Sequence, residues 1–429
     1  VSTLNDDYDI RTFPATSTAN GASGETAGWV QAETQGFHGA RLTDDFANRM
    51  ATRLATDDQL LTGAYPPVRR EPSLPAEYPV ATFASFEKTI NVGAGRLVPS
   101  HLISSVTVRP THRRKGLLRT MMTDSLTRAH QAGLPIAALT ASEATIYRRF
   151  GFGPATWAHG ITVATDARFR LLTTPTGSAE WIDARELVTL GPAIFAAFHA
   201  RQTGSVERHV GIWERISGLT DYTGAEDPAI RAAVHFDTAG DIDGFVSYKT
   251  NWEGQNRSIE VVDLVAVDDN AYLGLWQYLA SIDLIDTVSW RAGRIDNPLA
   301  WALADPRLVT VTGAEDWVWL RILDPIAALQ ARPYLSDGEI VLRVIDELGF
   351  AAGTFRISIA DAAAHVERAD GANPDLECDA WVLGSLYLGG ADPVVLRAAG
   401  QLVEHRPGAA GRLRTLLASD GPVYGITHF

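Results

Sequence analysis

The chain has 429 residues, which at about 150 per domain predicts roughly three domains. Its 46% hydrophobic and 21% charged content excludes wholesale disorder and collagen-like or coiled-coil architectures. The 37 Lys and Arg against 51 Asp and Glu leave a net charge of −14, which argues against nucleic acid as a partner and favours cationic ligands.

Residues 1–28 read as a polar lead-in with a short strand over 8–12 and without the apolar core of a secretory signal. A helix is predicted from Thr43, with Asp44 and Asp45 in its first turn and Leu42, Phe46, Met50 and Leu54 at four-residue spacing. Residues 66–79 are Pro-rich loop, followed by a hairpin whose strand over 80–90 turns at Gly93-Ala94-Gly95 and returns toward Val108. A basic loop over 110–115 leads into a helix over 116–131 that Gly133 ends. A short apolar strand over 135–140 comes next, then a helix to Phe150 with Ser142 as its N-cap and Gly151 as its stop. The apolar segment 188–200 carries Gly191, Pro192 and His199 and reads as a core helix. No run reaches the ~18 apolar residues of a membrane span. The single cysteine, Cys378, excludes an intramolecular disulfide and a multi-cysteine zinc site and fits a reducing cytoplasm, and no metal-binding motif is present.

The hairpin–strand–helix–strand order then repeats, with a hairpin over 233–250, a strand over 259–267, a helix over 270–281 and a strand over 287–292. Leu264-Val265-Ala266-Val267 stands where Ser105-Val106-Thr107-Val108 stood, but Asp268-Asp269-Asn270 replaces the basic loop. This reads as an internal duplication whose second copy has lost an anion site. The last ~110 residues differ, with a strand carrying Trp317 and Trp319 and ending near Ile322, strands over 340–345 and 354–359, and helices over 379–387, 393–403 and 409–419. Strands followed by helices predict a separate α+β unit.

Chemistry concentrates in the first copy. Arg113, Arg114 and Lys115 lead into a helix that starts at Gly116. Helix N-termini offer unpaired N–H groups and about half a positive charge. With three cations and a glycine, the result is a cradle for a pyrophosphate, the plainer alternative being a solvated basic loop. No nucleophile elbow, zinc-protease motif or Walker loop competes. His101, His112 and His159 are scattered nearby.

The run Arg113-Arg-Lys-Gly-Leu-Leu118 resembles the pyrophosphate-binding signature of the GNAT superfamily of N-acetyltransferases, departing at Leu118, where Gly or Ala is usual. The longer runs Val106–Arg119, Ala137–Glu143, Ile146–Ala155 and Val382–Gly389, with the terminal aromatic residue, resemble the Eis acetyltransferases of actinobacteria. The resemblance spans nearly the whole chain and is weakest over 1–100 and 160–250. It implies an α/β and α+β protein of two fused GNAT folds, over 1–158 and 159–310, followed by a sterol-carrier-protein-like unit over 311–429, assembled as a homohexamer. Acetyl-CoA is the implied cosubstrate and an aminoglycoside-like or lysine-like amine the implied acceptor.

Carried over by position, the resemblance implies that Val106, Thr107 and Val108 pair their backbone with the pantetheine arm. Arg113, Arg114, Lys115, Gly116, Leu117, Leu118 and Arg119 would hold the pyrophosphate, and Ser142 with Glu143 would line the channel. Tyr147 would be the general acid, in keeping with a phenol of pKa ~10 that can protonate a leaving thiolate; otherwise it is a core aromatic beside Phe150. The terminal carboxylate of Phe429 would be the base; otherwise it is a frayed end. Asp44, Asp45 and residues near Phe37 are candidate walls for a cationic substrate. A second reading is a lipid- or partner-binding protein with a vestigial acetyltransferase domain.

Overall fold

Two seven-stranded sheets and one five-stranded sheet organise the residues described by this computed structural model, which are 8–18, 21–22, 24–68, 71–221, 223–253 and 256–429. The first sheet runs Asp9–Pro14, Leu60–Tyr65, Ala81–Asn91, Leu97–Val108, Ile136–Thr140, Val318–Ile322, Gly153–Pro154. The second runs Ser178–Ile182, Arg231–Phe236, Ile242–Glu253, Asn256–Ala266, Thr287–Gly293, Trp157–Ala164, Val309–Asp316. The third, near the C-terminus, runs Ala363–Arg368, Gly353–Ala360, Gly338–Ile345, Leu376–Asp379, Leu402–Glu404.

In each of the first two sheets one strand stands out of chain order. The strand carrying Trp319, expected at the head of the C-terminal unit, instead pairs antiparallel with Ile136–Thr140, with Trp319 opposite Leu139. Reciprocally, Trp157–Ala164 lies in the second sheet between Thr287–Gly293 and Val309–Asp316. Packing explains the first placement. Every residue of Val318–Ile322 is buried. Trp319 joins the core under the Leu117–Gln131 helix, with Leu126 and Met122, while Val318, Leu320 and Ile322 join the core of the C-terminal unit. A strand covered on both faces shows no alternation of polar and apolar residues, so its sequence does not say which sheet it enters.

Glycines allow the C-terminal unit to sit this close. The Ala380–Leu386 helix lies directly on the Val318–Ile322 backbone, and a Cβ on Gly384 would come within 2.1 Å of the Leu320 carbonyl oxygen. The buried Arg321–Asp346 ion pair, at 2.5 Å, ties the same strand to the C-terminal unit.

Several predicted elements are found within a few residues, among them Asp44–Thr56, whose N-cap Thr43 accepts from Phe46 N at 3.3 Å. The lead-in is less plain than its composition suggests, because the Gly24–Gly36 helix begins inside it and buries Trp29 and Val30. The helix expected over 393–403 stops at Ala398, since Gly400 adopts φ +71 and the chain re-enters a sheet at Leu402–Glu404. Among the described residues, no helix is long and apolar enough to cross a membrane.

Candidate active site

The site begins where two neighbouring parallel strands part. Leu97–Val108 pairs with Ile136–Thr140 only from Ser100 opposite Ile136 to Ile103 opposite Leu139. On its other side it stays paired to its end, with Thr107 opposite Thr82 and Val108 opposite Ala81. Residues 104–108 therefore have one strand edge without a partner, the arrangement that accepts an extended amide chain. A bulge starts this segment. Ser105 adopts φ +54, the register slips between Thr82 and Ala84, and Thr82 Oγ1 donates to the Ser105 carbonyl at 2.9 Å.

The gap is a cavity of about 830 Å³. Val106, Thr107, Val108, the whole run Arg113 to Arg119, Ser142, Glu143 and Tyr147 all line it. Every cofactor residue inferred from the sequence is thus in one place. At its basic end, Arg114 at φ +63 and Gly116 at φ +81 turn the chain into the Leu117–Gln131 helix, which no side chain caps at its N-terminus. The left-handed turn suits Gly116, and open space surrounds the position a Cβ would occupy there. Among the described residues, no carboxylate lies within ion-pair distance of Arg113, Arg114, Lys115 or Arg119, and Lys115 Nζ sits 5.5 Å from the Tyr8 ring centre. Leu118, the departure from the signature, is half-buried at the cavity wall.

The opposite wall corrects one expectation. Ser142 is not the N-cap, because the helix spans Ala144–Tyr147, with Glu143 in the cap position and no side-chain cap bond. Ser142 is exposed toward the cavity. Tyr147 is 6% exposed, and its ring meets Phe152 edge-on at 6.4 Å. Burial, with a smaller contribution from Glu143, pushes its phenol up to about 12, so the hydroxyl stays protonated throughout the neutral range.

Phe429 is not among the cavity-lining residues, but it ends next to them. Its carboxylate accepts from Thr140 Oγ1, and its N–H donates to the same oxygen at 3.3 Å. The Phe429 ring packs edge-on against Phe86 at 6.1 Å. Thr140 ends the strand that leads to Ser142, so Phe429 is held at the inner end of the gap.

His101 is placed elsewhere. It is buried between strand and helix, with Nε2 2.8 Å from Ser125 Oγ, and burial and then Arg128 lower its pKa to about 4. Asp44 and Asp45 are exposed at a helix start and are not among the cavity-lining residues, whereas Phe37 and His38 are. One residue has no signal in the sequence. Glu33, one turn before Gly36 at the cavity rim, accepts from Ser105 Oγ at the bulge and from Thr34 Oγ1, each at 3.2 Å. Burial holds this carboxyl above its usual range, and no cation pairs with it among the described residues. Among the described residues no group of three or more His, Cys, Asp or Glu could hold a metal ion.

Comparison with known proteins agrees with this geometry. Models of an acetyltransferase (GNAT) domain match residues 76–155 and 204–322, and a sterol carrier protein domain model matches 326–425. An uncharacterized N-acetyltransferase of Streptomyces griseus is 35% identical over 400 residues, 90% of this chain and 93% of its own length. N-acetyltransferase Eis of Mycobacterium tuberculosis is 34% identical over 343 residues, 78% of this chain and 81% of its own. The crystal structure of Eis1 from Mycobacterium abscessus superposes with a TM-score of 0.81 at 31% identity, covering 98% of this chain and 100% of that one.

Proposed function

The chain belongs to the Eis family of GNAT-superfamily N-acetyltransferases, and from that premise we propose that it acetylates primary amines of cationic, aminoglycoside-like or lysine-like substrates by direct attack on acetyl-CoA. One observation carries the reading: an open strand edge, a cradle of cations with no carboxylate partner among the described residues and a protonated phenol share one cavity. Acetyl-CoA supplies an activated acetyl thioester. The residues fit its parts, with Arg113 to Arg119 against the pyrophosphate and the backbone of Val106, Thr107 and Val108 against the pantetheine amides.

This arrangement directs the pantetheine arm from the cradle inward toward the bulge at Ser105. Three strand residues cover about 10 Å in that direction. Tyr147 donates its proton to the departing sulfur, and burial keeps that proton in place until then. The terminal carboxylate of Phe429, fixed by Thr140, takes a proton from the acceptor's ammonium directly or through one water, freeing the lone pair that forms the bond to the acetyl carbonyl as the C–S bond breaks. Glu33 places a buried carboxyl beside the bulge, and the approach of a cationic acceptor there would favour its charged form against the burial that opposes it.

The enzyme is also proposed to assemble as a homohexamer. Trp181, Trp252 and Trp301, all in the central unit, are 65%, 59% and 88% exposed, and exposed tryptophans of this kind are enriched at subunit interfaces. The acetyltransferase activity displaces the alternative of a vestigial domain, and the acidic second copy illustrates what loss of the cradle looks like. Thiol release from acetyl-CoA with kanamycin-type, polyamine and lysine-peptide acceptors tests the substrate reading. Turnover of at least one class with single acetylation products supports it, and release with none of them overturns it.

A further inference from the structure

The second copy of the fold has the same gap as the first. Asn256–Ala266 pairs with Thr287–Gly293 only from Ser258 opposite Thr287 to Val261 opposite Trp290, which leaves residues 262–266 without a partner on that side. The cavity there is about 230 Å³, against about 830 Å³ in the first copy. Its mouth is lined by Asp268 and Asp269 together with Arg201 and Arg294. Asp268 caps the Asp269–Ala280 helix by accepting from Ala271 N at 2.9 Å, and Asp269 pairs with Arg294. The run of three cations that leads into the corresponding helix of the first copy is replaced here by Asp268-Asp269-Asn270.

The gap is smaller because the chain's own C-terminal segment fills it. Tyr424 lines the remaining cavity together with Leu264, Ala266 and Trp290, and its hydroxyl donates to the carbonyl of Ala292, two residues beyond the last strand pair. Tyr424 and Ile426 belong to the core of the second sheet, with Leu264, Val265 and Trp290. Bonds fix the segment on both sides of Tyr424. Gln202 Nε2 donates to the Pro422 carbonyl at 2.7 Å, Tyr424 N to Thr203 O at 2.9 Å, and Trp317 Nε1 to Thr427 O at 3.0 Å. Thr427 Oγ1 donates to Val206 O. The passage is so close that a Cβ on Gly425 would come within 2.6 Å of the Gly204 carbonyl oxygen. Two residues after Thr427 the chain ends at Thr140, in the first copy's gap.

We propose that the second copy has exchanged a cofactor groove for a peptide groove: it is the receptor for the segment Pro422–Thr427 and thereby positions the terminal carboxylate at the active site of the first copy. Seating the segment is a statement about the second sheet and the residues beside it at 202–206 and Trp317; its catalytic consequence rests on the reading of Phe429 as the base. Tyr424 is a positioning residue, since it reaches the reaction only through Phe429.

The test uses the full chain carrying Tyr424→Ala, with hydrogen exchange of residues 422–429, acetyl-CoA affinity and turnover measured together. Expected are exchange of the tail amides at least 100-fold faster, kcat lower by 30-fold or more, and acetyl-CoA affinity within about two-fold of the parent. Addition of 4-methylphenol, which fits the vacated ring site, should restore part of kcat in this variant and none in the parent. Tyr424→Phe keeps the ring and loses only the bond to Ala292; it provides a folded comparison if the alanine variant does not fold, with an expected three- to ten-fold loss of kcat. Tail amides as protected as in the parent in both variants would overturn the proposal. A released tail with unchanged kcat would support the seat and overturn Phe429 as the base.

Discussion

Tyr147→Phe removes one hydroxyl from a ring that is otherwise packed, and this makes it the sharpest probe of the proposed chemistry. The ring keeps its edge-on contact with Phe152 and its place in the core beside Phe150 and Leu139, so folding stability should change little. What disappears is a proton donor held protonated up to about pH 12. General-acid assistance of this kind contributes about 10²–10⁴ in rate, or roughly 3–5 kcal/mol of barrier, so kcat at pH 7 should fall by that factor while acetyl-CoA affinity holds. The loss should also depend on pH. A thiol of pKa near ~8.5 leaves readily as the thiolate in more alkaline solution, so the gap between variant and parent should narrow above about pH 9. Stopped-flow thiol release at saturating amine, from pH 6 to 10, measures this directly. Turnover within three-fold of the parent at pH 7, or a deficit independent of pH, would refute Tyr147 as the acid and leave it a core aromatic.

Replacing Arg113, Arg114 and Lys115 together by Ala should weaken acetyl-CoA binding by 10²–10³, about 3–4 kcal/mol once solvent screening reduces three charge-assisted bonds; calorimetry that finds unchanged affinity removes the cradle. Extending the chain by a few residues beyond Phe429 should abolish transfer without unfolding, whereas Phe429→Ala, which retains a terminal carboxylate, should be impaired less; native turnover in the extended chain rules out the carboxylate as base. Glu33→Gln keeps an acceptor for Ser105 but cannot take on the negative charge that a bound polycation would draw out, so KM for polycationic amines should rise about ten-fold with kcat little changed, read by steady-state kinetics at fixed acetyl-CoA. Stability should fall as pH drops from 6.5 toward 4. His101 stays neutral in the folded chain down to about pH 4 and takes up a proton near 6.5 when unfolded, a contribution of about 3 kcal/mol that differential scanning calorimetry of His101→Gln should show flattened.

The cradle was legible because its information is local. A run such as Arg113-Arg114-Lys115-Gly116 fixes a turn, a helix start and a charge within four residues, and the structure places all of them on one wall. The duplication was legible for the same reason, since each copy repeats a short-range pattern. What escaped depends on distant contacts. Nothing near Val318–Ile322 indicates a partner at Ile136–Thr140, because a strand buried on both faces looks the same in any sheet. Glu33 escaped because a lone glutamate on a helix is ordinarily solvated; only the fold brings it to the bulge at Ser105. Ser142 was mistaken for a cap because the cap rule sees residue type, whereas the helix start was shifted by one residue and no side-chain bond formed.

The exchange of strands between the first two sheets has a consequence for synthesis on the ribosome. Ile136–Thr140 is translated on the order of 180 residues before its neighbour Val318–Ile322. At ~5–20 residues per second, that edge waits roughly 10–35 s for its partner. During this interval the apolar strand edge is exposed to other nascent chains, the circumstance that invites mispairing. The first acetyltransferase unit is therefore completed late, after the whole central unit has emerged. A gene fragment ending near residue 155 should yield a polypeptide lacking its closing strand, and a split-protein or domain-swapping design would need to carry Val318–Ile322 with the N-terminal half.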